Sequence, residues 1–242
     1  MNESFYVGAV GAAQSTKRLS VIANNLANIN NNGFKPKAVA FSELIEYNVN
    51  DSEDAVTELQ AGAGTRVIRT YTSFDVAPVT ETNSSLDFAI TKKNTFFMLQ
   101  DPDTGAISYT RDGHFHQAER ADGFYMMTDD DKLVLDRNGQ PIRTDTEEEE
   151  TPDMTRTIAL VTFQNPSRLL HVSANEYVPA DEGVQAIPVQ EEALIKGFLE
   201  TSGTDLAKEF TSVIECQRAY SYALRMVSTS DEIMSTINNL RG

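Results

Sequence analysis

The sequence predicts an α+β protein in which a long helix at each end of the chain flanks a mainly antiparallel, all-β middle. Apolar residues recur at alternating spacings of three and four near both ends, as they do on one face of a helix. Between the ends, short apolar runs alternate with Asp-Gly and Asn-Gly pairs, which favour β-hairpin turns. The predicted segments are 1–47 (N-terminal helix and an Asn/Gly-rich stretch), 48–64 (variable linker), 65–196 (central β domain) and 197–242 (C-terminal helix).

A heptad pattern predicts the N-terminal helix, over about residues 3–29. The positions of the pattern are Phe5, Ala9, Ala12, Thr16, Leu19, Ala23 and Leu26. This spacing is typical of a coiled-coil seam, here a thin one because several of the side chains are small. Gly8 and Gly11 lower the helix propensity. The Asn-rich run that ends at Gly33 predicts the end of the helix, because Asn and Gly readily adopt a left-handed backbone.

A pattern of the same kind predicts a C-terminal helix of about 35 residues, about 50 Å long. The positions of this pattern are Leu206, Phe210, Val213, Gln217, Tyr220, Leu224, Val227, Asp231, Met234 and Asn238. Thr204 and Asp205 stand where an N-cap is expected. Isolated helices need packing to be stable, so we expect both ends to be largely disordered in the monomer and to fold on assembly.

The middle of the chain predicts an antiparallel β domain. The predicted strands are 65–74, 87–91, 95–99, 107–110, 124–127, 133–135 and 157–163. Turn residues separate them at 101–105, 112–113, 122–123 and 138–139. Two stretches interrupt the pattern. Residues 48–64 are polar and indicate a linker, and residues 145–153, with four consecutive Glu, indicate a solvated loop.

Charge and cysteine content exclude several classes of function. The formal net charge of −16 argues against nucleic-acid binding, which needs a basic surface, and against anionic membranes. Cys216 is the single cysteine, so an internal disulfide cannot form. No apolar run reaches the length of a membrane helix, so no membrane insertion is expected. The apolar stretch 5–13 follows Glu3 instead of a basic region, and this order argues against a cleaved secretory signal.

The chain shows no pattern typical of an enzyme. His114 and His116 would lie on one face of a strand and could form a metal pair, but no third ligand is apparent. The 101–112 segment has Gly at position five instead of six, and Asp instead of Glu at position twelve, for a calcium loop. No nucleophile motif is present. We therefore expect no catalytic residues, no metal and no cofactor. A β-rich, adhesin-like surface module oligomerised by its helices remains an alternative with the same architecture.

Several strings, in order along nearly the whole chain, carry a resemblance to a known family. They are Ala-Asn-Asn-Leu-Ala-Asn (23–28) followed by Gly-Phe-Lys (33–35), Phe-Ser-Glu-Leu (41–44), Leu-Asp-Phe-Ala-Ile (86–90), Tyr-Thr-Arg-Asp-Gly-His-Phe (109–115), Lys-Gly-Phe-Leu-Glu-Thr-Ser (196–202), Gln-Arg-Ala-Tyr (217–220) and Asp-Glu-Ile-Met (231–234). Together they resemble the signatures of the flagellar axial proteins, which are the rod, hook and hook-associated subunits. The chain departs from the pattern at 92–95, where a glycine-bearing turn is usual, and at Gly203, where Asn is usual.

The resemblance implies a structural subunit whose terminal helices form the inner tubular core of an axial drive shaft that transmits torque from motor to hook. It also implies export by the flagellum's own type III apparatus without a cleaved signal, a place in the basal body within the cell envelope, and contacts with further copies and other axial proteins. The length indicates a proximal or distal rod subunit and not a hook protein. The residues assigned to assembly by the helix pattern and the matching strings are Leu19, Asn24, Asn25, Leu26, Asn28, Gly33, Phe34, Phe210, Val213, Gln217, Arg218, Tyr220, Leu224, Val227 and Asp231.

Overall fold

The structure, a computed structural model, describes residues 3–43, 46–48, 60–62, 64–144, 157–172, 175–181, 183–189 and 193–240. They fall into two compact units. Unit 1 comprises the described residues of 1–27, 37–71 and 205–242, and unit 2 comprises those of 28–36 and 72–204. The predicted α+β class is confirmed, with a helix near each end and antiparallel strands between them. The predicted coiled-coil core stays a prediction, because the structure contains a single chain.

Unit 1 is built on two antiparallel helices, α1 (Glu3–Ala27) and α2 (Leu206–Leu240). The 35 residues of α2 agree with the predicted length. Asp205 is its N-cap, because its Oδ1 accepts hydrogen bonds from the backbone N–H groups of Ala207 (3.0 Å) and Lys208 (3.2 Å). The helix α1 ends two residues earlier than predicted, and Gly33 after it has a left-handed φ of +64°.

Unit 1 also holds four strands. These are β1 (Lys37–Glu43), β2 (Glu46–Asn48), β3 (Gln60–Gly62) and β4 (Thr65–Thr72). The strands β1 and β4 form one pair, and β2 and β3 form another that is antiparallel. The described residues of the predicted 48–64 linker therefore lie partly in paired strands, while 49–59 and 63 lie outside the described residues. The Gln14 side chain of α1 joins the helix to β4, because its Oε1 accepts the Val67 N–H at 2.9 Å.

Unit 2 confirms the predicted antiparallel middle of the chain. Its strands are β5 (Val79–Glu81), β6 (Phe88–Ile90), β7 (Thr95–Gln100), β8 (Ile107–Thr110), β9 (His116–Arg120), β10 (Gly123–Met127), β11 (Leu133–Val134), β12 (Leu160–Thr162), β13 (Leu169–His171), β14 (Glu176–Pro179), β15 (Ile187–Pro188), β16 (Leu194–Lys196) and β17 (Phe198–Glu200). Nine of these described strands form one sheet, ordered β13-β14-β8-β7-β11-β10-β9, with β12 paired to β7 and β15. Two further antiparallel pairs are β6–β16 and β5–β17.

Two apolar clusters hold unit 2 together. One contains Phe88, Phe97 and Met126, each fully buried. The other stacks aromatic rings edge to face, for example Phe96 against Tyr177 with ring centroids 5.7 Å apart. Edge-to-face packing suits the ring quadrupoles and adds to the burial of apolar area. Burial of large aromatic rings therefore stabilises unit 2, as the short apolar runs of the sequence predict.

One predicted turn has a different role. The strands β8 and β9 on either side of Asp112 and Gly113 are not neighbours, so this pair does not close a hairpin. Gly113 instead lets two backbones meet, because a Cβ at this position would lie 1.7 Å from the carbonyl oxygen of Phe88. By contrast, Asp122 and Gly123 do join paired strands, β9 and β10. The predicted acidic loop at 145–153 lies outside the described residues.

Within the described ranges, neither helix is long and apolar enough to span a membrane.

Candidate assembly surface and junction cluster

Small residues form the contact between α1 and α2 in unit 1. On α1 this contact stripe consists of Ser4, Gly8, Gly11, Ser15, Ile22 and Asn25, at spacings that fit one helix face. Ser4 Oγ lies 2.9 Å from Ser230 Oγ, and the Cys216 thiol donates to the Ser15 carbonyl at 2.9 Å. A Cβ on Gly8 would lie 3.0 Å from Val227 Cγ2 and 3.1 Å from a backbone oxygen of α2. The two helices therefore approach so closely at Gly8 that a larger side chain would not fit without movement.

Asn25 lies at the end of this contact that is nearest the C-terminus of α1. Its side-chain amide donates to the Lys37 carbonyl at 2.8 Å and to Glu209 Oε1 at 2.9 Å, while its Oδ1 accepts the Lys37 N–H at 2.9 Å. The residue is only 2% exposed. One carboxamide thus links α1, the first strand and α2, which is a physical reason for Asn at this position in the matching string.

The predicted seam of α1 does not face α2. It lies one residue towards the C-terminus from the contact stripe, and Phe5 and Leu19 on it are 44% and 38% exposed. On α2 the seam residues Phe210 and Leu224 are likewise about half exposed. The larger apolar side chains of α1 therefore lie beside the contact within the chain, and the Gly and Ser residues of the neighbouring stripe carry that contact. We call these exposed apolar side chains of α1 and α2 the outer stripes.

The residues predicted for assembly divide by burial. Buried are Asn25, Gly33 and Phe34; half-buried are Leu26, Asn28, Val213 and Val227; exposed are Leu19, Asn24, Phe210, Gln217, Arg218, Tyr220, Leu224 and Asp231. Asn28 Oδ1 accepts a hydrogen bond from Asn31 Nδ2 at 2.8 Å in the turn after α1. The exposed group lies on unit 1, where it is available to other chains, whereas Gly33 and Phe34 belong to the interior of unit 2.

Three charged residues of the matching strings meet inside unit 2. We call Lys35, Arg111 and Glu200 the junction cluster; each is 1% exposed. Arg111 holds the Glu200 carboxylate with two nitrogens, Nε to Oε2 at 2.9 Å and Nη2 to Oε1 at 3.0 Å. Lys35 Nζ donates to the same Oε1 at 2.7 Å. Sequence reasoning placed each residue in a string but did not predict that they meet. A signal was available for two of them, because Lys35 and Glu200 each follow a large apolar residue, Phe34 and Leu199.

Backbone carbonyls satisfy the remaining donors of the junction cluster. Arg111 Nη1 donates to the carbonyls of Lys92 (2.7 Å) and Thr95 (2.8 Å), and Lys35 Nζ donates to that of Asp75 (2.6 Å). Fully bonded buried charges are stable, whereas a buried charge without a partner is not. Burial, with the nearby positive charge of Arg111, lowers the pKa of Lys35 to about 8. Burial alone would raise the pKa of Glu200, but the hydrogen bonds and charges of Arg111 and Lys35 outweigh it and hold that pKa below its ordinary value.

The two histidines considered as a metal pair, His114 and His116, lie beside carboxylates. His114 Nδ1 is 3.0 Å from Asp87 Oδ1, and His116 Nδ1 is 3.6 Å from Asp129 Oδ1. In the part of the chain that the structure describes, no three His, Cys, Asp or Glu side chains are grouped so as to hold a metal ion. The geometry gives the two histidines single acidic partners on unit 2.

Fold and surface together define a class: an α+β structural protein with a tightly packed pair of terminal helices that leave apolar stripes exposed. Two family models match the parts that carry these features. Residues 5–35 match the flagella basal body rod protein model, and residues 195–240 match the C-terminal model of the flagellar basal body rod FlgEFG proteins. The matched ranges include α1 from Phe5 onward, all of α2, and Lys35 and Glu200 of the junction cluster.

Relatives extend the match to the whole chain. The flagellar basal-body rod protein FlgG of Buchnera aphidicola subsp. Baizongia pistaciae is 29% identical, over 99% of this chain and 100% of its own length. FlgG of Bacillus subtilis is also 29% identical, over 100% of both chains. The rod protein FlgF of Mesorhizobium japonicum is 26% identical, over 99% of each. The two family models and these full-length relatives together support a flagellar basal-body rod protein, a structural subunit of the basal body.

Proposed function

We propose that the chain polymerises through the outer stripes of α1 and α2 into the axial shaft of the rod, and that this shaft transmits torque from motor to hook. The observation that carries the proposal is the large amount of apolar surface left open on α2. Within the described residues, 11 of the 25 exposed large apolar side chains lie on this one helix. Contiguous exposed apolar surface of this kind marks interaction sites in soluble proteins.

The length of α2 supports the same proposal. Ser4, next to the first residue of α1, lies against Ser230, and α2 continues for ten more residues. All ten, 231–240, are exposed, and they include Ile233, Met234 and Ile237. At 1.5 Å per residue this is about 15 Å of helix with apolar side chains facing solvent. A neighbouring subunit would bury them.

The partners that we propose are further copies of the chain and other rod and hook proteins. A relative from Bacillus subtilis, 25% identical over the full chain, is named a flagellar hook-basal body complex protein. We also propose export by the flagellar apparatus without a cleaved signal and a position spanning the periplasm, as the family resemblance implies. The role is mechanical and not catalytic, because the buried charged groups are used to hold the backbone. The adhesin-like alternative is disfavoured, since the family models match the helices of unit 1 more than the β unit.

A substitution on the outer stripe tests the proposal. Leu224→Asp places a charge on exposed apolar surface, where Leu224 is 44% exposed and contributes little to the fold of the single chain. Burying a full Leu side chain is worth about 1.5–3 kcal/mol, and burying an unpaired carboxylate costs more than that. We expect loss of swimming and of rod assembly, with the thermal unfolding of the purified chain unchanged.

Thr211→Asp is the matched control for charge. Thr211 is exposed on α2 and lies about 140° around the helix both from Cys216 in the contact with α1 and from Leu224 on the outer stripe. We expect swimming to be retained in this variant. Normal swimming of the Leu224→Asp strain, with that protein present at wild-type level, would refute assembly through this stripe.

A further inference from the structure

The chain passes between unit 1 and unit 2 at four points, after residues 27, 36, 71 and 204. The unit 2 segments next to three of these points converge on the junction cluster. They are 33–36, 73–77 and 200–203, which we call the junction segments. The Gly33 N–H donates to the Glu200 carbonyl at 2.7 Å, and the Gly203 N–H donates to the Phe34 carbonyl at 2.9 Å. The entry and exit segments of unit 2 are therefore bonded directly to each other.

Glu200 is the centre of this arrangement. Besides the two cations, its Oε1 accepts the backbone N–H of Ala77 at 2.7 Å. Lys35 reaches the same segment through the Asp75 carbonyl, and the Ser73 N–H donates to the Pro36 carbonyl at 3.0 Å. A single carboxylate thus contacts groups that are 165, 123 and 89 residues away in the chain.

No other carboxylate in the described residues can replace Glu200 as the counter-charge. The Asp75 side chain is the nearest candidate, but it is 70% exposed and pairs with Lys93 at 2.6 Å. Without Glu200, Lys35 and Arg111 would be two buried cations with no anion between them. Removing one partner of a buried ion pair lowers the folding equilibrium constant by about a hundredfold or more.

We propose that the junction cluster is a closure lock: unit 2 closes only when the segment carrying Glu200 joins the other two junction segments, and all three then open and close as one unit. Glu200 lies six residues before Leu206, the first residue of α2. A chain that lacks the segment leading into α2 therefore cannot close its β unit. This rests on the proposed function in one respect: the lock would keep incomplete chains out of the rod.

Amide hydrogen exchange of the full chain, resolved by fragmentation mass spectrometry, tests the lock. The amides to follow are those of Gly33, Ala77 and Gly203, one in each junction segment. In the wild-type chain we expect the three to exchange through openings of the same free energy. In Glu200→Gln we expect all three to lose protection together, by about a hundredfold or more. Loss confined to Ala77, with Gly33 and Gly203 still protected, would overturn the proposal.

A second variant keeps the test valid if Glu200→Gln does not fold. Adding Lys35→Met to Glu200→Gln removes one of the two uncompensated charges, so protection of the junction segments should recover at least tenfold. No recovery would show that the loss is unrelated to the buried charge and would overturn the lock. Arg168→Gln is the control, because its pair with Asp181 is about half exposed and its loss should change junction protection by less than about threefold.

The lock and the proposed function fail in different ways. Leu224→Asp should abolish assembly while the junction amides stay protected, because Leu224 belongs to unit 1. If wild-type chains never assemble, the proposed function is wrong, and the exchange experiment still decides the lock. If assembly proceeds but the junction segments open independently, only the lock is wrong.

Discussion

Gly8 and Gly11 allow a direct test of the small-residue contact in unit 1. Both lie on the face of α1 that meets α2, and Ala at either position gains about 1 kcal/mol in helix propensity. The space at the two positions differs. A Cβ on Gly11 would lie 3.7 Å from Ala223 Cβ, an ordinary contact, whereas on Gly8 it would lie 3.0 Å from Val227 Cγ2 and 3.1 Å from the Ala223 carbonyl oxygen.

The two substitutions should therefore have opposite effects. Gly11→Ala should stabilise the helix pair by about 1 kcal/mol. Gly8→Ala gains the same propensity but overpacks the contact at a cost of about 1–3 kcal/mol, for a net loss of about 0–2 kcal/mol. The same chemical change thus separates the variants by about 1–3 kcal/mol, because the propensity effect cancels between them.

Thermal unfolding followed by circular dichroism at the helix band measures this difference. The same scan of the wild type tests the expected disorder of both ends, because a chain whose helices fold only on assembly shows no helix transition. For chains of this size each kcal/mol shifts the midpoint by about 2–4 °C. The Gly11→Ala midpoint should lie above that of the wild type and the Gly8→Ala midpoint at or below it. Equal stabilisation of both variants would refute the close approach of α1 and α2 at Gly8.

Two further predictions concern polar groups inside the subunit. Asn25→Leu removes three hydrogen bonds that the buried Asn25 makes with half-buried Lys37 and Glu209, so unfolding should show a loss of about 1–3 kcal/mol, whereas Asn24→Leu on the exposed face should cost little. Burial raises the pKa of Asp112 from 3.8 to about 6, so its ionised form is disfavoured in the folded chain. Below pH 3.8 the Asp112 carboxyl is protonated in the folded and the unfolded chain, and its burial carries no charge penalty. As the pH rises through about 6, the folded chain loses stability, because the carboxyl ionises more readily in the unfolded chain. Asp112→Asn should therefore gain up to about 3 kcal/mol relative to the wild type at pH 7 and little below about pH 4, as measured by denaturant unfolding. A stability difference that does not change with pH would contradict the Asp112 prediction.

The junction cluster shows why sequence motifs alone do not predict a buried site. Lys35, Arg111 and Glu200 lie in three separate strings of the sequence, and any of them reads as an ordinary charged residue. The residues of a short sequence string do not show whether a charged side chain in it is buried. Only the pairing of 33–36 with 200–203 and the position of Arg111 after β8 bring the three side chains together away from water.

The helix pair also shows what a sequence pattern predicts and what it does not. Periodicity predicted both helices, and residue types predicted an N-cap at Thr204 or Asp205 and the end of α1 to within two residues, because helix propensity and capping are local. Periodicity also selected the stripe with the largest apolar side chains. In α1 the contact with α2 uses the neighbouring stripe, where Gly8 and Gly11 let the backbones approach.

The sequence by itself determined the α+β class, the helix–β–helix order, the positions of seven of the 17 described strands and the resemblance to axial proteins, since each rests on local pattern or on matching strings. The tertiary structure decided which face of α1 meets α2, and so which apolar residues remain for other subunits. It also decided that three distant charges share one buried site. Both outcomes depend on how closely two backbones can approach and on what surrounds a charge, and these are properties of the folded chain that no stretch of sequence carries alone.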